Sequence, residues 1–123
     1  MKQTFYVGLK AFITNDDGQA LFLYREKSHG LSNWDLPGGC IEPGETYTQC
    51  LVRELNEELP GIQNIRVLTR LRTVRTHWIL EDGAGLIFET YRVTAKLPDP
   101  IVLNSEHTRY RWDSPWEFYE MIK

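Results

Sequence analysis

Residues 4–14 and 19–25 are dense in β-branched and aromatic side chains, the types that pack on a pleated surface, and they predict two strands. Asn15-Asp16-Asp17-Gly18 between them supplies the residues of a hairpin turn. Gly30–Asn33 reads as a loop and Trp34–Pro37 as a short extended piece, with Gly38-Gly39 giving the backbone freedom beside it. The period then changes. Leu51, Leu55 and Leu59 recur at i, i+4 and i+8, the apolar stripe of a helix packed on a sheet. Thr46 and Gln49 form a capping box ahead of that stripe, which places the helix over about 47–59. Glu42-Pro43-Gly44-Glu45 fits a type II turn before it. Pro60 biases Leu59 away from helical geometry, and Gly61 suits the left-handed turn that follows.

Residues 64–78 and 85–96 predict two long strands joined through Glu81-Asp82-Gly83-Ala84-Gly85. Tyr110–Trp112 predicts a short strand, and Ser114-Pro115 opens a final helix carrying Trp116, Phe118, Tyr119 and Ile122. Strands, one helix, strands, one helix: this order predicts an α+β fold, a mixed sheet with helices packed on it, rather than a regular βαβ alternation.

The chain has 123 residues, 41% hydrophobic and 25% charged, which fits one domain over 1–123 with a core that needs no disulfide or metal staple. Its net charge of −3 argues against a nucleic-acid polymer or an anionic membrane as the main partner. Cys40 and Cys50 have neither disulfide-framework nor zinc spacing; one is expected in a loop and one in the helix. That points to a reducing, cytoplasmic compartment. The N-terminus has no signal-peptide pattern, and no apolar run approaches the length needed to span a bilayer.

Glu54, Glu57 and Glu58 stand at i, i+3 and i+4 and therefore share a helix face. They lie in the last half of that helix, where the macrodipole disfavours each by roughly 0.3–1 kcal/mol. Glu54 and Glu58 also repel each other by about 0.2–0.5 kcal/mol. Stability alone would place Lys or Arg there, and Arg53 offsets only part of the charge. A divalent cation, which takes carboxylates, backbone carbonyls and water, is the missing counter-charge.

The segment resembles the Nudix box, G-x5-E-x7-R-E-U-x-E-E-x-G-U, where U is a bulky aliphatic. Gly39, Glu45, Arg53, Glu54, Leu55, Glu57 and Glu58 fall in register, and Trp34-Asp35-Leu36-Pro37-Gly38 resembles the family's approach to the box. Pro60 stands where the family has glycine and Gly61 follows, as for a one-residue insertion at the helix end. The resemblance implies an α/β/α sandwich on a mixed sheet, with the box as a loop–helix–loop. It also implies an Mg2+-dependent (or Mn2+-dependent) pyrophosphohydrolase. Such an enzyme cleaves a nucleoside diphosphate linked to another moiety, a small nucleotide-type substrate such as a nucleoside triphosphate or a modified nucleotide.

By the same resemblance, Glu57 and Glu58 are the principal metal ligands and the Gly38 carbonyl adds a ligand. Glu54 is a further ligand or the general base, Arg53 orients the acids, and Glu45 is an orienting partner. Glu106 corresponds in place to a loop acid that several family members use for metal or as a base; an ordinary loop acid is the alternative. Arg25 corresponds to a basic strand end aimed at substrate phosphates. Arg70 and Arg72, sharing a strand face by alternation, either offset substrate charge or keep an outer face wet. His107 has no partner at metal-ligand spacing, and His29 and His77 are also isolated. Family members often dimerise, so a homodimer stays open. Two other functions share the fold: a nucleotide-binding module without catalysis, and an isomerase of the isopentenyl diphosphate type. The isomerase would use a catalytic cysteine, for which Cys40 is the candidate. The full set of box acids favours hydrolysis over both.

Overall fold

The computed structural model describes residues 2–25, 34–105 and 107–116. Seven strands and one helix stand among them: β1 (Phe5–Phe12), β2 (Ala20–Arg25), β3 (Trp34–Asp35), β4 (Gly38–Cys40), α1 (Tyr47–Glu58), β5 (Gln63–Ile79), β6 (Gly85–Lys96) and β7 (His107–Asp113). The expected loop Gly30–Asn33, His29, Glu106 and the expected C-terminal helix beyond Trp116 lie outside the described residues. The strands form two sheets. A four-stranded mixed sheet has the order β4-β1-β6-β5, and an antiparallel one has the order β3-β2-β7. β1 runs parallel to β6, from Phe5 opposite Gly85 to Phe12 opposite Arg92, while β4 and β5 flank this pair antiparallel.

The helix forms as its sequence dictates. The Gln49 N–H donates to Thr46 Oγ1 at 3.1 Å and the Thr46 N–H donates to Gln49 Oε1 at 2.9 Å, closing the capping box. At the other end Leu59 has left helical geometry (φ −126°, ψ 70°) ahead of Pro60, and Gly61 takes φ +87°. The turn before the helix has Gly44 at φ +84° and an Glu45 N–H to Glu42 carbonyl bond of 3.1 Å, as the type II assignment requires.

Leu51, Leu55 and Leu59 are fully buried and pack with Leu9, Ala11 and Val93 of the mixed sheet and with Leu21 and Leu23 of β2. Burying each such side chain contributes about 1.5–3 kcal/mol. A second cluster, Ala20, Phe22 and Leu36, gathers Phe12 and Trp34 around it. α1 is thereby pinned against β4 and β1, with its C-terminal end beside Gly38.

Two local expectations are corrected. Cys40 lies on strand β4, opposite Gly8, rather than in a loop. Arg70 and Arg72 do not share a face: a bulge between them sets Arg70 opposite Tyr91 and Arg72 opposite Thr90, on opposite sides of the sheet. Alternation fails there because the extra residue shifts the register by one.

Because Leu55 is the centre of the stripe that holds α1, Leu55→Ala should lower the unfolding free energy by about 2–5 kcal/mol. Urea denaturation, read with an unchanged slope, checks this.

Candidate functional site

The acids of α1 are brought to β4 by two kinds of contact, one through a guanidinium and one through backbone. Arg53 meets Glu45 edge-on, with Nε 2.7 Å from Oε2 and Nη2 3.0 Å from Oε1. Its Nη1 donates to Glu54 Oε1 at 2.8 Å and lies 3.6 Å from Glu57 Oε1, while Nη2 donates to the Cys40 carbonyl at 3.3 Å. This fork holds the turn, the strand and the helix face in one arrangement. The Arg53 hydrogen bonds hold the Glu45 carboxyl down to about 2. The Glu42 N–H adds to this, donating to Glu45 Oε1 at 2.9 Å.

Gly39 leaves room for the Glu54 carboxylate. A Cβ there would stand inside contact distance of the Glu54 carboxylate, so only glycine lets that carboxylate lie against β4. Gly38 is required twice over. Its φ is +149°, and a Cβ would collide with the Leu9 carbonyl oxygen. The Gly38 N–H donates to Glu58 Oε1 at 2.7 Å.

Glu58 is the buried acid of the group, 3% exposed. Burial pushes its carboxyl up to about 8; the charge of Lys10 and the Gly38 N–H pull the other way. Lys10, on β1, is paired with Asp35 at 2.7 Å. On the remaining side His107 Nε2 stands 3.3 Å from Glu58 Oε2. His107 is not isolated: its partner Glu58 is distant in sequence and adjacent in space.

The structure thus gathers Arg53, Glu54, Glu57, Glu58 and Gly38 at one end of α1, and Arg25 contributes positive charge felt at Glu58 from the end of β2. The side chains do not all converge. Glu54 is held by Arg53 and Glu57 leans on it, whereas Glu58 turns inward. Among the described residues no three Asp, Glu, His or Cys side chains are gathered closely enough to hold an ion. Residues that sequence reasoning missed are Lys10, Asn104 and His107. Lys10 carried one signal, a charge set between Leu9 and Ala11 in an otherwise apolar strand.

A family model described as the NUDIX domain matches residues 5–123, and the chain belongs to that family. The chain is 39% identical over 57 residues to an 8-oxo-dGDP phosphatase of Homo sapiens, a match that covers 46% of the chain and 17% of that protein. It is 39% identical over 61 residues to an RNA pyrophosphohydrolase of Photorhabdus laumondii, covering 49% of the chain and 33% of that protein. The matches thus span a sixth and a third of those relatives. Among solved structures, a MutT protein from Methanosarcina mazei superposes with TM-score 0.78 at 23% identity, over 100% of this chain and 88% of that one. A MutT NUDIX hydrolase from Burkholderia pseudomallei gives 0.73 at 26%, over 91% and 84%. No helix among the described residues is long and apolar enough to cross a membrane.

The Glu45 carboxyl is lower in the folded chain than its unfolded value of 4.5, so its contribution to stability is present above that value and is lost as the pH falls toward 2. The parent should therefore exceed Glu45→Gln in stability at pH 7. The gap should close between about pH 5 and pH 2, as read by urea denaturation across that range.

Proposed function

We propose that the chain is a pyrophosphohydrolase that cleaves a nucleoside diphosphate linked to another moiety, with residues 1–123 forming one catalytic domain. A nucleoside triphosphate or a modified nucleotide is the substrate class the reading favours. The observation that carries it is Glu58: a carboxyl buried at the end of α1, raised by burial, held by the Gly38 N–H and within reach of the charge of Glu54. Burial favours the neutral acid, so a cation is what would keep Glu58 ionised, and the donors here are hard oxygens, which suits Mg2+ or Mn2+. The cation, when bound, supplies charge for the phosphates and lowers the pKa of water.

Glu57 and Glu58 serve as ligands with the Gly38 carbonyl, and ligation requires Glu57 to leave Arg53. Glu54, steadied by Arg53 and admitted by Gly39, is ligand or base for the attacking water. As base it takes the proton that the water loses as its oxygen bonds to phosphorus and the anhydride bond breaks. Arg25, at the exposed end of β2, faces the substrate phosphates. Glu106 stands in sequence next to His107 and is a further metal-site candidate. Relatives named as a phosphatase and a pyrophosphohydrolase support the reaction class.

A panel of nucleoside diphosphate derivatives, assayed for phosphate or pyrophosphate release with Mg2+ and with Mn2+, tests the reading; no release from any member with either ion would sink it. Glu57→Gln should cut metal-dependent turnover by on the order of a hundredfold or more, with stability near or above that of the parent because like-charge repulsion is relieved. Normal turnover without Glu57 would remove it from the ligand set.

A further inference from the structure

Glu58 reaches the interior from the last turn of α1, and its two carboxylate oxygens are engaged from different elements. The Gly38 N–H on β4 donates to Oε1 at 2.7 Å. His107, the first residue of β7, brings Nε2 to 3.3 Å from Oε2, and both side chains are 4% exposed. Behind the ring, His107 Nδ1 lies 2.9 Å from Asn104 Oδ1. The backbone closes the same loop: the Asn104 N–H donates to the Glu58 carbonyl at 3.3 Å, and the His107 N–H donates to the Asn104 carbonyl at 3.4 Å. Asn104 and His107 therefore grip Glu58 twice, at its main chain and at its carboxylate. The main-chain bond also satisfies one of the carbonyls that a helix end leaves without an internal partner.

We propose that His107 is a positioning residue. It holds Oε2 of Glu58, as Gly38 holds Oε1, so that the carboxylate keeps one orientation and offers its remaining lone pairs to a divalent cation at the end of α1. The inference rests on the cation reading above. Neutral imidazole donates or accepts at Nε2 according to its tautomer, and the Asn104 amide can present oxygen or NH2 to Nδ1. An ionised carboxylate only accepts, so the holding contact uses the Nε2–H tautomer of His107, with the Asn104 amide turned to give its NH2 to Nδ1. A carboxylate restrained in this way loses less rotamer freedom when an ion binds. Partners that orient metal ligands are worth about tenfold to a hundredfold in affinity. The competing role is packing alone, in which the ring fills the interior between α1 and β7 and contributes only to stability.

Mn2+ titration of the full metal-free chain by calorimetry, together with thermal unfolding without added ion, separates the two. His107→Ala should weaken Mn2+ binding about tenfold to a hundredfold, and His107→Gln, whose amide reaches toward the place of Nε2, should return it to within about threefold of the parent. Hydrolysis by the Ala variant should recover as Mn2+ is raised, shifting the ion requirement more than the maximal rate. An Ala variant that melts lower yet binds Mn2+ like the parent overturns the proposal and leaves His107 a packing residue. Should the Ala variant not fold, His107→Asn, too short to reach Glu58, must bind more weakly than His107→Gln; equal affinities overturn the proposal. A parent that binds no Mn2+ sinks the cation reading and this inference together. A parent that binds it while the Ala variant is unchanged sinks the inference alone.

Discussion

The Arg53 guanidinium ties together three parts of the chain that would otherwise repel or drift apart. Its flat fork engages both oxygens of Glu45 in the turn, one oxygen of Glu54 on the helix and the Cys40 carbonyl on β4. A point charge on a flexible stem could neutralise the same acids, but it could not fix their directions, because the fork sets several N–H vectors at once. With the turn, strand and helix face fixed relative to one another, Glu54 lies against Gly39 and Glu58 is left free to turn inward.

That inward turn depends on how closely β4 approaches its neighbours. Gly38 packs on the Leu9 carbonyl so tightly that any side chain would collide, and its N–H donates to Glu58. Burial then raises the Glu58 carboxyl, and Lys10 and Arg25 only partly offset the cost. Two glycines, one arginine and one buried acid are therefore a single arrangement. The glycines make room, the arginine orients, and the acid is left buried, where added positive charge would ionise it.

Features governed by near neighbours were legible in the sequence. The capping box, the Pro60 break, the positive φ at Gly44 and Gly61 and the leucine stripe all follow from residues within one or two turns of each other. The Nudix resemblance was legible for the same reason, since its motif is a local spacing, and the family match over residues 5–123 bears it out. Features set by distant pairing were not legible. Nothing near His107 in sequence announces Glu58. The bulge that separates Arg70 from Arg72 is fixed by how β5 meets β6, and the strand character of Cys40 by β1. The division of the strands into two sheets likewise follows from which edges find partners.

The helix end shows why such a site can persist. α1 has no basic residue in its last turn, so its acids face an unfavourable dipole that Arg53, Lys10 and Arg25 offset only in part. Against roughly 0.3–1 kcal/mol for each acid stands the burial of Leu51, Leu55 and Leu59, at about 1.5–3 kcal/mol apiece. The apolar face thus outweighs the polar one by enough to keep the helix formed with its charges poorly satisfied. The two faces divide the tasks: leucines at i, i+4 and i+8 supply the burial that holds the helix, and the acids set how its polar face meets the turn and β4. An excess of negative charge can then be kept at one rigid point of the fold, and a rigid excess of charge is what a cation-dependent reaction at phosphorus requires.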